Sequence, residues 1–409
     1  MEAFLKNQIK ATLKLLPYHI GASYFKSSAS PEAERLKHRA GGFIKGVCHC
    51  WEDYARIRDA GLEWEREDIP FPFDKDGNLT ERYVNRKEEW RRHRESGVRI
   101  FALSPWPHHY AAHGIDPRLP ENETRIREIA VFMLNDLRGI VDAIQVSNEM
   151  GVPRFTRPLT VAQGARFIGI QLAAMHPLRG DILIGYNSGG PQCDLHEIMR
   201  PWHQYCDYVG LDMYVGCFTP AANWMYVFEA LLRYLWSLTG KPILLCEFGY
   251  LSGGVPRTRQ EKRAILQRYG VDSEKEAREK IDMVMENIKE LNPKMYGHTV
   301  THASGGYADF LFKLDYCNHF YSELPRTTVI RKYPHTPEGQ AGFYRDIFPR
   351  LAKLPFLLGA FVYCWQDSEQ CCVCGQSDCP TETRWGLVDV EHRAKPAYYA
   401  VRDALKEIK

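Results

Sequence analysis

The sequence predicts a single (β/α)8 barrel, an α/β fold in which eight parallel strands alternate with helices. A chain of 409 residues is comfortable for one such barrel carrying insertions. Short apolar runs recur eight times, and each is followed by a longer helical pattern, which is typical of parallel βα units. Several runs end in polar or aromatic residues where the apolar pattern stops. Active sites of barrels are assembled at those carboxyl ends of the strands.

The eight apolar runs are the predicted strands of the barrel. Their polar or aromatic ends include the sequences SNE, YNS, DMY, CEFG and CWQD. We therefore expect the chemistry to lie at the end of the barrel where these sequences meet. The predicted strands cover residues 43–50, 62–71, 98–106, 142–150, 182–189, 207–215, 242–250 and 356–365.

Two segments fall outside the regular alternation. Residues 1–42 contain no strand-like run, so they predict an N-terminal helical extension that covers the bottom or flank of the barrel, which itself occupies 43–409. Before the last strand, the sequence TPE at 336–338 is a capped helix start with proline at the first helical position. If the seventh helix begins there, residues 251–335 form an insertion over the catalytic face.

The insertion contains two kinds of sequence. Ser273 and Glu276 form a capping box ahead of an amphipathic stretch that runs to about Leu291. The His- and Tyr-rich segment 296–321 predicts irregular or hairpin structure. A long loop at this end of a barrel is expected to wall one side of the site and narrow a cleft into a pocket, although a dimer interface is an alternative use. The candidates to line that wall are His298, His302, Tyr307 and His319.

The composition excludes several classes of protein. Hydrophobic residues at 44% and charged residues at 25% are globular values. Lysine plus arginine number 53 against 51 aspartates and glutamates, a balance that argues against a nucleic-acid partner. The sequence contains no run of about 18 apolar residues, so it predicts no membrane-spanning helix. The first 20 residues lack the apolar core of a signal peptide, so we expect a cytoplasmic protein; secretion of a processed form and homo-oligomer formation stay open.

Two glutamates lie at the ends of strands that face one another across the barrel mouth. Glu149 ends strand four and Glu247 ends strand seven, so both side chains can point at one ligand. Hydrolysis of a glycosidic bond with retention needs two carboxyl groups about 5 to 5.5 Å apart. The sequence therefore predicts that Glu149 and Glu247 form such a pair of catalytic carboxyl groups. The plainer alternative is that both pair with lysine or arginine at the strand ends.

Motifs at the ends of five predicted strands share one order and spacing. They are the Asn148-Glu149 pair, CEFGY around Glu247, Arg66 within AGLEWEREDIP, Tyr214, and Trp365 with the following WGLVDVEHRAKPAYYAV. On these motifs the chain resembles the clan of (β/α)8 retaining glycosidases with the acid/base on strand four and the nucleophile on strand seven. The resemblance covers roughly residues 43–405 apart from the insertion. It implies a retaining β-glycosidase that cleaves O-glycosidic bonds by double displacement and needs no cofactor for chemistry.

The resemblance also implies roles for three residues next to the glutamates. Asn148 would hydrogen-bond the 2-hydroxyl of the sugar, a contact that strengthens in the transition state. Arg66 and Tyr214 would contact the nucleophile, stabilising its charge and fixing its orientation. The sequence departs from the clan's pattern at Glu65 and Glu67, which flank Arg66 where apolar residues are usual, and this puts the register of that strand in doubt.

Aromatic and histidine residues near the predicted strand ends are candidates for sugar contacts. Trp365 and Trp106 would offer flat apolar faces to the C–H groups of a sugar, and the alternative for both is packing at the top of the barrel. His108 or His109, just beyond strand three, would bind sugar hydroxyls. For each of these two histidines, a surface or core position with no bound ligand is an interpretation at least as good as sugar binding.

The cysteines predict a structural metal site. Strand eight neighbours strand one in a closed barrel, so a cysteine-rich loop after strand eight can meet the sequence Cys48-His49-Cys50 that ends strand one. Such a cluster could bind one structural zinc ion, with reduced thiols or a disulfide as the alternative. The predicted ligands are Cys371, Cys372, Cys374 and Cys379, joined by Cys48 or Cys50.

Two rival functions remain open at this point. One is a metal-dependent barrel hydrolase, for which Cys48-His49-Cys50 is the only pointer in the sequence. The other is a catalytically silent carbohydrate-binding barrel, against which the retention of both glutamates argues. The expected partner is a carbohydrate, cleaved from a chain end, whereas the sugar and the linkage are not determined by the sequence.

Overall fold

The strands form one closed parallel barrel in the order β1 to β8, which confirms the predicted (β/α)8 fold. The computed structural model describes residues 13, 30–50, 53–190, 192–218, 224–254, 257–303, 306–312, 320–323 and 329–408. Each strand lies inside one of the predicted apolar runs. The strands are β1 Ile44–Cys48, β2 Trp64–Asp68, β3 Arg99–Leu103, β4 Ala143–Gln145, β5 Leu183–Gly189, β6 Tyr208–Met213, β7 Ile243–Phe248 and β8 Leu357–Val362.

Helices precede, connect and follow the strands. Among the described residues, none of these helices combines the length and the apolar character needed to cross a lipid bilayer. The helices are α1 Pro31–Ala40, α2 Tyr54–Asp59, α3 Glu81–Glu95, α4 Pro107–Ala112, α5 Glu123–Asp136, α6 Pro153–Thr156, α7 Val161–Met175, α8 Cys193–Met199, α9 Trp224–Thr239, α10 Arg259–Arg268, α11 Glu274–Glu279, α12 Ile281–Leu291, α13 Pro293–His302, α14 Tyr307–Phe312, α15 Pro337–Leu351, α16 Pro380–Thr383 and α17 Pro396–Lys406.

The barrel interior is packed by large residues set against glycines on neighbouring strands. A Cβ at Gly46 of β1 would come within 2.1 Å of the Phe361 ring of β8, and one at Gly359 within 2.3 Å of Ile44. Ile44 and Gly359 are register partners, so the same contact joins β1 to β8 and closes the ring. Alternating large and small side chains is how a narrow eight-stranded barrel fills its centre.

Helix α1 closes the amino-terminal end of the barrel. The hydroxyl of Ser30 caps the helix by accepting the Ala33 N–H at 3.3 Å, and Gly41 ends it with a φ of +81°, a conformation that glycine adopts without strain. Leu36 is buried in one apolar cluster with Ile44 and other interior residues of the barrel. This described part of the N-terminal extension therefore lies opposite the end where the candidate catalytic residues are.

Helix α15 is the barrel helix that directly precedes β8, and it begins where the sequence indicates. The Thr336 hydroxyl accepts the Gly339 N–H at 3.1 Å, with proline at the first helical position. Helices α10 to α14 all lie between β7 and α15, within the insertion. Ser273 caps α11 through the N–H of Glu276, and the predicted amphipathic stretch forms α11 and α12, which are separated at Lys280.

The prediction of irregular or hairpin structure over 296–321 is wrong for residues 296–302 and 307–312, which are helical. Helix α13 begins at Pro293, where the side chain of Asn292 accepts the Met295 N–H at 3.1 Å. An Asn cap followed by proline at the first helical position is a strong start signal, and Met295 is buried in the core of the insertion. Helix α14 follows, so residues 296–302 and 307–312 of the segment are helical.

The insertion has an apolar core of its own, which it shares with the loop after β8. We call residues 363–385 the β8 loop. The shared cluster is separate from the cores inside and around the barrel. The insertion therefore packs on the carboxyl side of β8. The cluster contains Leu266, Tyr269, Val271, Ala277, Val284, Met285, Ile288, Met295, Leu311, Phe312, Phe320, Tyr321, Cys371, Val373, Cys374 and Cys379.

Candidate active site

A bulge in β7 turns Glu247 toward the barrel axis. The register between β6 and β7 moves from Leu211 opposite Leu245 to Asp212 opposite Glu247, so Cys246 is an extra residue. Cys246 packs in the barrel interior, and strict alternation would point the next side chain outward. Because a bulge re-aims the residues that follow it, Glu247 also faces the interior.

Both carboxylate oxygens of Glu247 are held by hydrogen bonds. Arg66 donates from Nη1 to Oε1 at 2.6 Å, and the Tyr214 hydroxyl donates to Oε2 at 2.5 Å. Arg66 is 1% exposed. Burial opposes its charge, yet the Glu247 carboxylate raises the pKa of Arg66 well above its usual value. Glu247 is therefore a buried carboxylate that is held in one orientation, which is the arrangement a nucleophile needs.

Arg66 is positioned by β4 as well as by Glu247. Its Nε and Nη2 donate to Oε1 of Gln145 at 3.2 and 3.1 Å, and Nη2 also donates to Oδ1 of Asn148 at 2.9 Å. Gln145 in turn donates to Asn148 at 3.1 Å. Sequence reasoning missed Gln145, whose only signal is that it is polar within an apolar strand.

The two glutamates beside Arg66 face away from the barrel axis. Glu65 is hydrogen-bonded to His93 of α3, and Glu67 is bonded to Nδ1 of His49 at 2.9 Å. Although burial opposes both charges, this second contact raises the pKa of His49 to about 9 and lowers the pKa of Glu67 to about 2. These buried partners explain two acidic residues on a buried strand, and they settle that Arg66 points inward.

The loop after β4 brings two consecutive side chains to the site. Ser147 and Glu149 have φ values of +61° and +39°, a left-handed conformation that costs non-glycine residues about 1 kcal/mol or more each. The Ser147 N–H donates to Oγ of Ser104 at 3.0 Å, and the Glu149 N–H donates to Oδ1 of Asn187 at 2.8 Å. These hydrogen bonds hold the loop so that Asn148 and Glu149 both lie at the barrel mouth.

The side-chain oxygen of Asn148 accepts hydrogen bonds from within the protein. Its Oδ1 accepts hydrogen bonds from Arg66, Gln145 and Asn187, at 2.9, 3.1 and 3.1 Å. This network assigns the side-chain oxygen and leaves the amide nitrogen pointing away from these donors. Among the described residues no hydrogen bond from that nitrogen is recorded, so it is placed to donate to a ligand.

Three carboxyl groups share the neighbourhood of one arginine. Burial, with the charge of Glu247, raises the pKa of Glu149 to about 8. The same two causes raise the pKa of Asp212, which lies beside Glu149, well above its usual value. At neutral pH Glu149 is therefore mostly protonated beside the ion pair of Arg66 with Glu247. Sequence reasoning missed Asp212, although it stands in the DMY end of strand six.

Aromatic rings from the loops after β6 and β8 form a wall beside Glu247. The ring of Tyr214 lies 5.8 Å from Tyr363 and 5.0 Å from Trp385, and Phe218 is 5.6 Å from Trp385. Tyr363 also donates from its hydroxyl to Glu382 at 3.3 Å. We call these four rings the aromatic wall. Of the four, only Tyr214 was predicted from the sequence as a site residue.

Trp365 does not face the site, so the prediction that it offers a face to a sugar is wrong. Its side chain is fully buried, Nε1 donates to Asp53 at 2.8 Å, and the ring packs 5.9 Å from Tyr398 of α17. The reason is that β8 ends at Val362. Beyond that point the chain has turned toward α17, and Tyr363 is the residue left at the mouth.

The predicted residues after strand three form a group at the start of α4. The Trp106 ring lies 4.9 Å from Phe155 and 5.2 Å from His109, and His108 is exposed. Burial lowers the pKa of His109 to about 4, with a further contribution from His108. Phe155 is on α6, which follows the Glu149 loop. Trp106 therefore sits on the same side of the barrel mouth as Glu149, and sugar contact by these residues stays a prediction.

The predicted cysteine set is divided by the structure. The thiols of Cys371, Cys374 and Cys379 lie together, whereas Cys372 is exposed and is not part of that group. Cys48 lies in the barrel interior, 3.6 Å from the carbonyl oxygen of Cys246. The other residue proposed to join them, Cys50, is grouped with Glu65 and His93. Strand one therefore contributes no ligand to the described cysteine cluster.

Of the four residues proposed to line a wall from the insertion, the two whose side chains are described lie in the insertion itself and not at the site. His298 packs 5.6 Å from Phe310, and Tyr307 packs against the core of the insertion. His319 and the side chain of His302 lie outside the described residues. Among the described residues, side chains of the β8 loop approach the site from this direction.

Replacing Glu149 should change the pH dependence of stability. The folded state holds a proton on Glu149 up to about pH 8, whereas the unfolded chain releases it near pH 4.5. Raising the pH between these values therefore favours unfolding. We expect Glu149→Gln to be more stable than the native protein by about 1–3 kcal/mol at pH 7.5 and nearly equal at pH 4.5, measured by urea unfolding. The exposed Glu121→Gln is the matched control; the same increment for Glu149→Gln at both pH values would contradict the expectation.

Comparison with known proteins supports the fold. Neither a protein-family model nor a curated protein matches the sequence. Among solved structures, a GH53 catalytic domain from Ignisphaera aggregans is 16% identical, with 89% of this chain and 96% of that domain covered at a TM-score of 0.55. A fungal β-1,4-galactanase is 12% identical over 91% and 97%, at 0.52. A β-glucuronidase from Faecalibacterium prausnitzii is 14% identical over 90% of this chain and 49% of its own length, at 0.50. At these identities the likeness shows a shared barrel fold.

Proposed function

We propose that this protein is a retaining β-glycosidase, with Glu149 as general acid/base and Glu247 as nucleophile. The observation that carries the proposal is the pairing at one barrel mouth of a protonated acid, Glu149, with a carboxylate held by Arg66 and Tyr214. Retaining glycoside hydrolysis needs these two groups in these two states. The GH53 domain and the β-1,4-galactanase among the similar structures support a glycoside as substrate.

The first step uses the two glutamates together. Glu149 donates its proton to the oxygen of the leaving group while an oxygen of Glu247 attacks the anomeric carbon, which gives a covalent glycosyl-enzyme. Arg66 and Tyr214 keep the carboxylate of Glu247 oriented for that attack. Asn148 donates from its amide nitrogen to the 2-hydroxyl of the sugar, because its oxygen is already occupied by three protein donors.

The second step follows from the charge of Glu247. Once Glu247 is esterified, its negative charge is gone, and one of the causes that raises the pKa of Glu149 goes with it. Glu149 has just given up its proton, and its anion is then easier to keep near Arg66. It accepts a proton from water as the water attacks the anomeric carbon, which releases the sugar with its original configuration.

The substrate is cleaved from a chain end in this proposal. The insertion is joined to the β8 loop by the N–H and hydroxyl of Ser252, which donate to the Arg384 carbonyl at 2.9 and 3.1 Å. Arg257 of the insertion also pairs with Asp378 at 2.5 Å. These two contacts support the part of the β8 loop that carries Glu382 and Trp385, the latter a member of the aromatic wall. A barrier on that side favours release of terminal sugars.

The rival functions receive less support. Among the described residues, neither group that could hold a metal ion contains Glu149 or Glu247, so nothing places a metal at the catalytic carboxylates. A silent binding barrel has no need for a buried ion pair at Glu247 or for a strained loop that presents Glu149. The cost of both is explained most directly by catalysis.

A panel of aryl β-glycosides that differ in the sugar tests the proposed reaction. We expect at least one to be hydrolysed, equally well with and without a chelator, and proton NMR of the first product to show the β-anomer before mutarotation. Glu247→Gln, which lacks the nucleophile, is measured in parallel as the control for contaminating glycosidases. Early α-anomer would show inversion and contradict the mechanism, and chelator-sensitive turnover would favour the metal-dependent alternative.

Product analysis on an oligosaccharide that the enzyme accepts tests the position of cleavage. An enzyme with one side of its site closed should release single sugars from the first turnover onward. Chromatography of early time points separates release of single sugars from release of longer fragments. A substrate labelled at its reducing end shows from which end the sugars are released. Accumulation of mid-length fragments would contradict the closed site while leaving the retaining mechanism intact.

A further inference from the structure

We propose that Cys371, Cys374 and Cys379 bind a structural zinc ion that joins the β8 loop to the insertion. The three sulfur atoms lie within 4.8 Å of one another, and all three side chains are fully buried. Zinc–sulfur bonds of about 2.3 Å place the sulfurs of a tetrahedral site about 3.8 Å apart. The sulfur atoms therefore need to approach one another by no more than about 1 Å to surround an ion.

The spacing and the local turn fit a zinc site. Two residues separate Cys371 from Cys374 and four separate Cys374 from Cys379, which are ligand spacings found in structural zinc sites. The Val373 N–H points at Sγ of Cys371 at 3.4 Å. Gly375, with a φ of +70°, donates its N–H to the Cys371 carbonyl at 2.9 Å. This tight turn aims both sulfurs inward, and an N–H donor to sulfur stabilises a thiolate ligand.

The ligand set argues for zinc among the common ions. Thiolates are soft ligands that select zinc over magnesium or calcium, which prefer oxygen. Among the described residues no further Cys, His, Asp or Glu joins the group. The three thiolates would therefore fill three of the four ligand positions of a tetrahedral ion. The fourth ligand is not assigned.

The ion would stabilise the segment that leads to the aromatic wall. Cys379 immediately precedes α16, and its carbonyl accepts from Thr383 at 2.6 Å; Trp385 follows and donates from Nε1 to the Thr381 carbonyl. On the other side, Asn292 of the insertion donates to the Cys374 carbonyl at 2.5 Å. An ion bound here therefore fixes α16, the path to Trp385 and the docking of the insertion at once.

Elemental analysis of the purified full chain tests the proposal without measuring activity. Protein produced in zinc-containing medium and kept reduced should carry about one zinc ion per chain. The triple variant Cys371→Ser, Cys374→Ser, Cys379→Ser should lose it, whereas the matched control Cys372→Ser, in the same loop, should retain it. Equal zinc in the triple variant, or no zinc in the native protein, would overturn the proposal.

Cobalt exchange in the native protein covers the case in which the triple variant fails to fold. Replacing zinc with Co²⁺ should give thiolate-to-cobalt charge-transfer absorption together with visible bands of a tetrahedral ion. Removing the metal should make the β8 loop and the insertion cleavable by a protease, and zinc should restore protection. Absence of the cobalt spectrum, or mass spectrometry showing a disulfide between two of these cysteines in the isolated protein, would refute the site. Either failure would leave the glycosidase proposal untouched.

Discussion

Glu247→Gly will abolish turnover, and added azide or formate will restore it with a product of inverted anomeric configuration. Glycine leaves a space beside the anomeric carbon, and a small anion can enter that space and attack in place of the carboxylate. We expect a loss on the order of 10⁴-fold or more. An aryl glycoside with a good leaving group reports the rate, and proton NMR identifies the α-configured glycosyl azide.

The same variant has a predictable effect on stability. Arg66 is 1% exposed and loses its bonded carboxylate, and an unpaired buried charge costs about 3–5 kcal/mol. Azide or formate should therefore raise the melting temperature of Glu247→Gly and leave that of the native protein nearly unchanged. Glu247→Gln is the matched control, because its amide fills the space and should prevent rescue. Near-native activity in both variants would show that Glu247 is not the nucleophile.

Glu149→Ala will divide substrates by their leaving groups. Poor leaving groups need protonation as they depart, so kcat/KM for an alkyl or sugar leaving group should fall by about 10²- to 10⁴-fold. A dinitrophenyl leaving group needs no proton and should lose less than about tenfold in kcat/KM. The measurement is kcat/KM over a series of aryl glycosides, because kcat also contains the second step, in which Glu149 acts as base.

The pH profile gives a second measure of the same role. Glu149 acts in its protonated form, so kcat/KM of the native enzyme for a poor leaving group should fall above about pH 8, the pKa of Glu149. In Glu149→Ala the dinitrophenyl substrate should show no such fall. Glu149→Gln separates loss of the proton from loss of volume. An equal loss for all leaving groups, with the alkaline fall retained, would assign the acid to another group.

The barrel itself could be predicted from the sequence, because its signals are local. Strand periodicity, polar strand ends and the proline-capped start of α15 each depend on neighbouring residues only. The meeting of Glu149, Glu247 and Arg66 also follows once strand order is known, since strand ends of a closed parallel barrel converge. Glu65 and Glu67 were in conflict with the prediction of a buried second strand, because acidic residues stood where apolar ones were expected. The structure resolves this conflict with buried partners from other elements.

The sequence by itself therefore determined the eight strands and the place of the two catalytic candidates on them. Tertiary structure decided which side chains surround them. Burial, with the charge of Glu247 on the neighbouring strand, raises the pKa of Asp212 well above its usual value. Tyr363 faces the mouth where Trp365 was expected, because the chain leaves the strand after Val362. Tertiary structure also decided that three cysteines meet without Cys372. These outcomes depend on contacts between residues far apart in the chain, for which periodicity and spacing carry no signal.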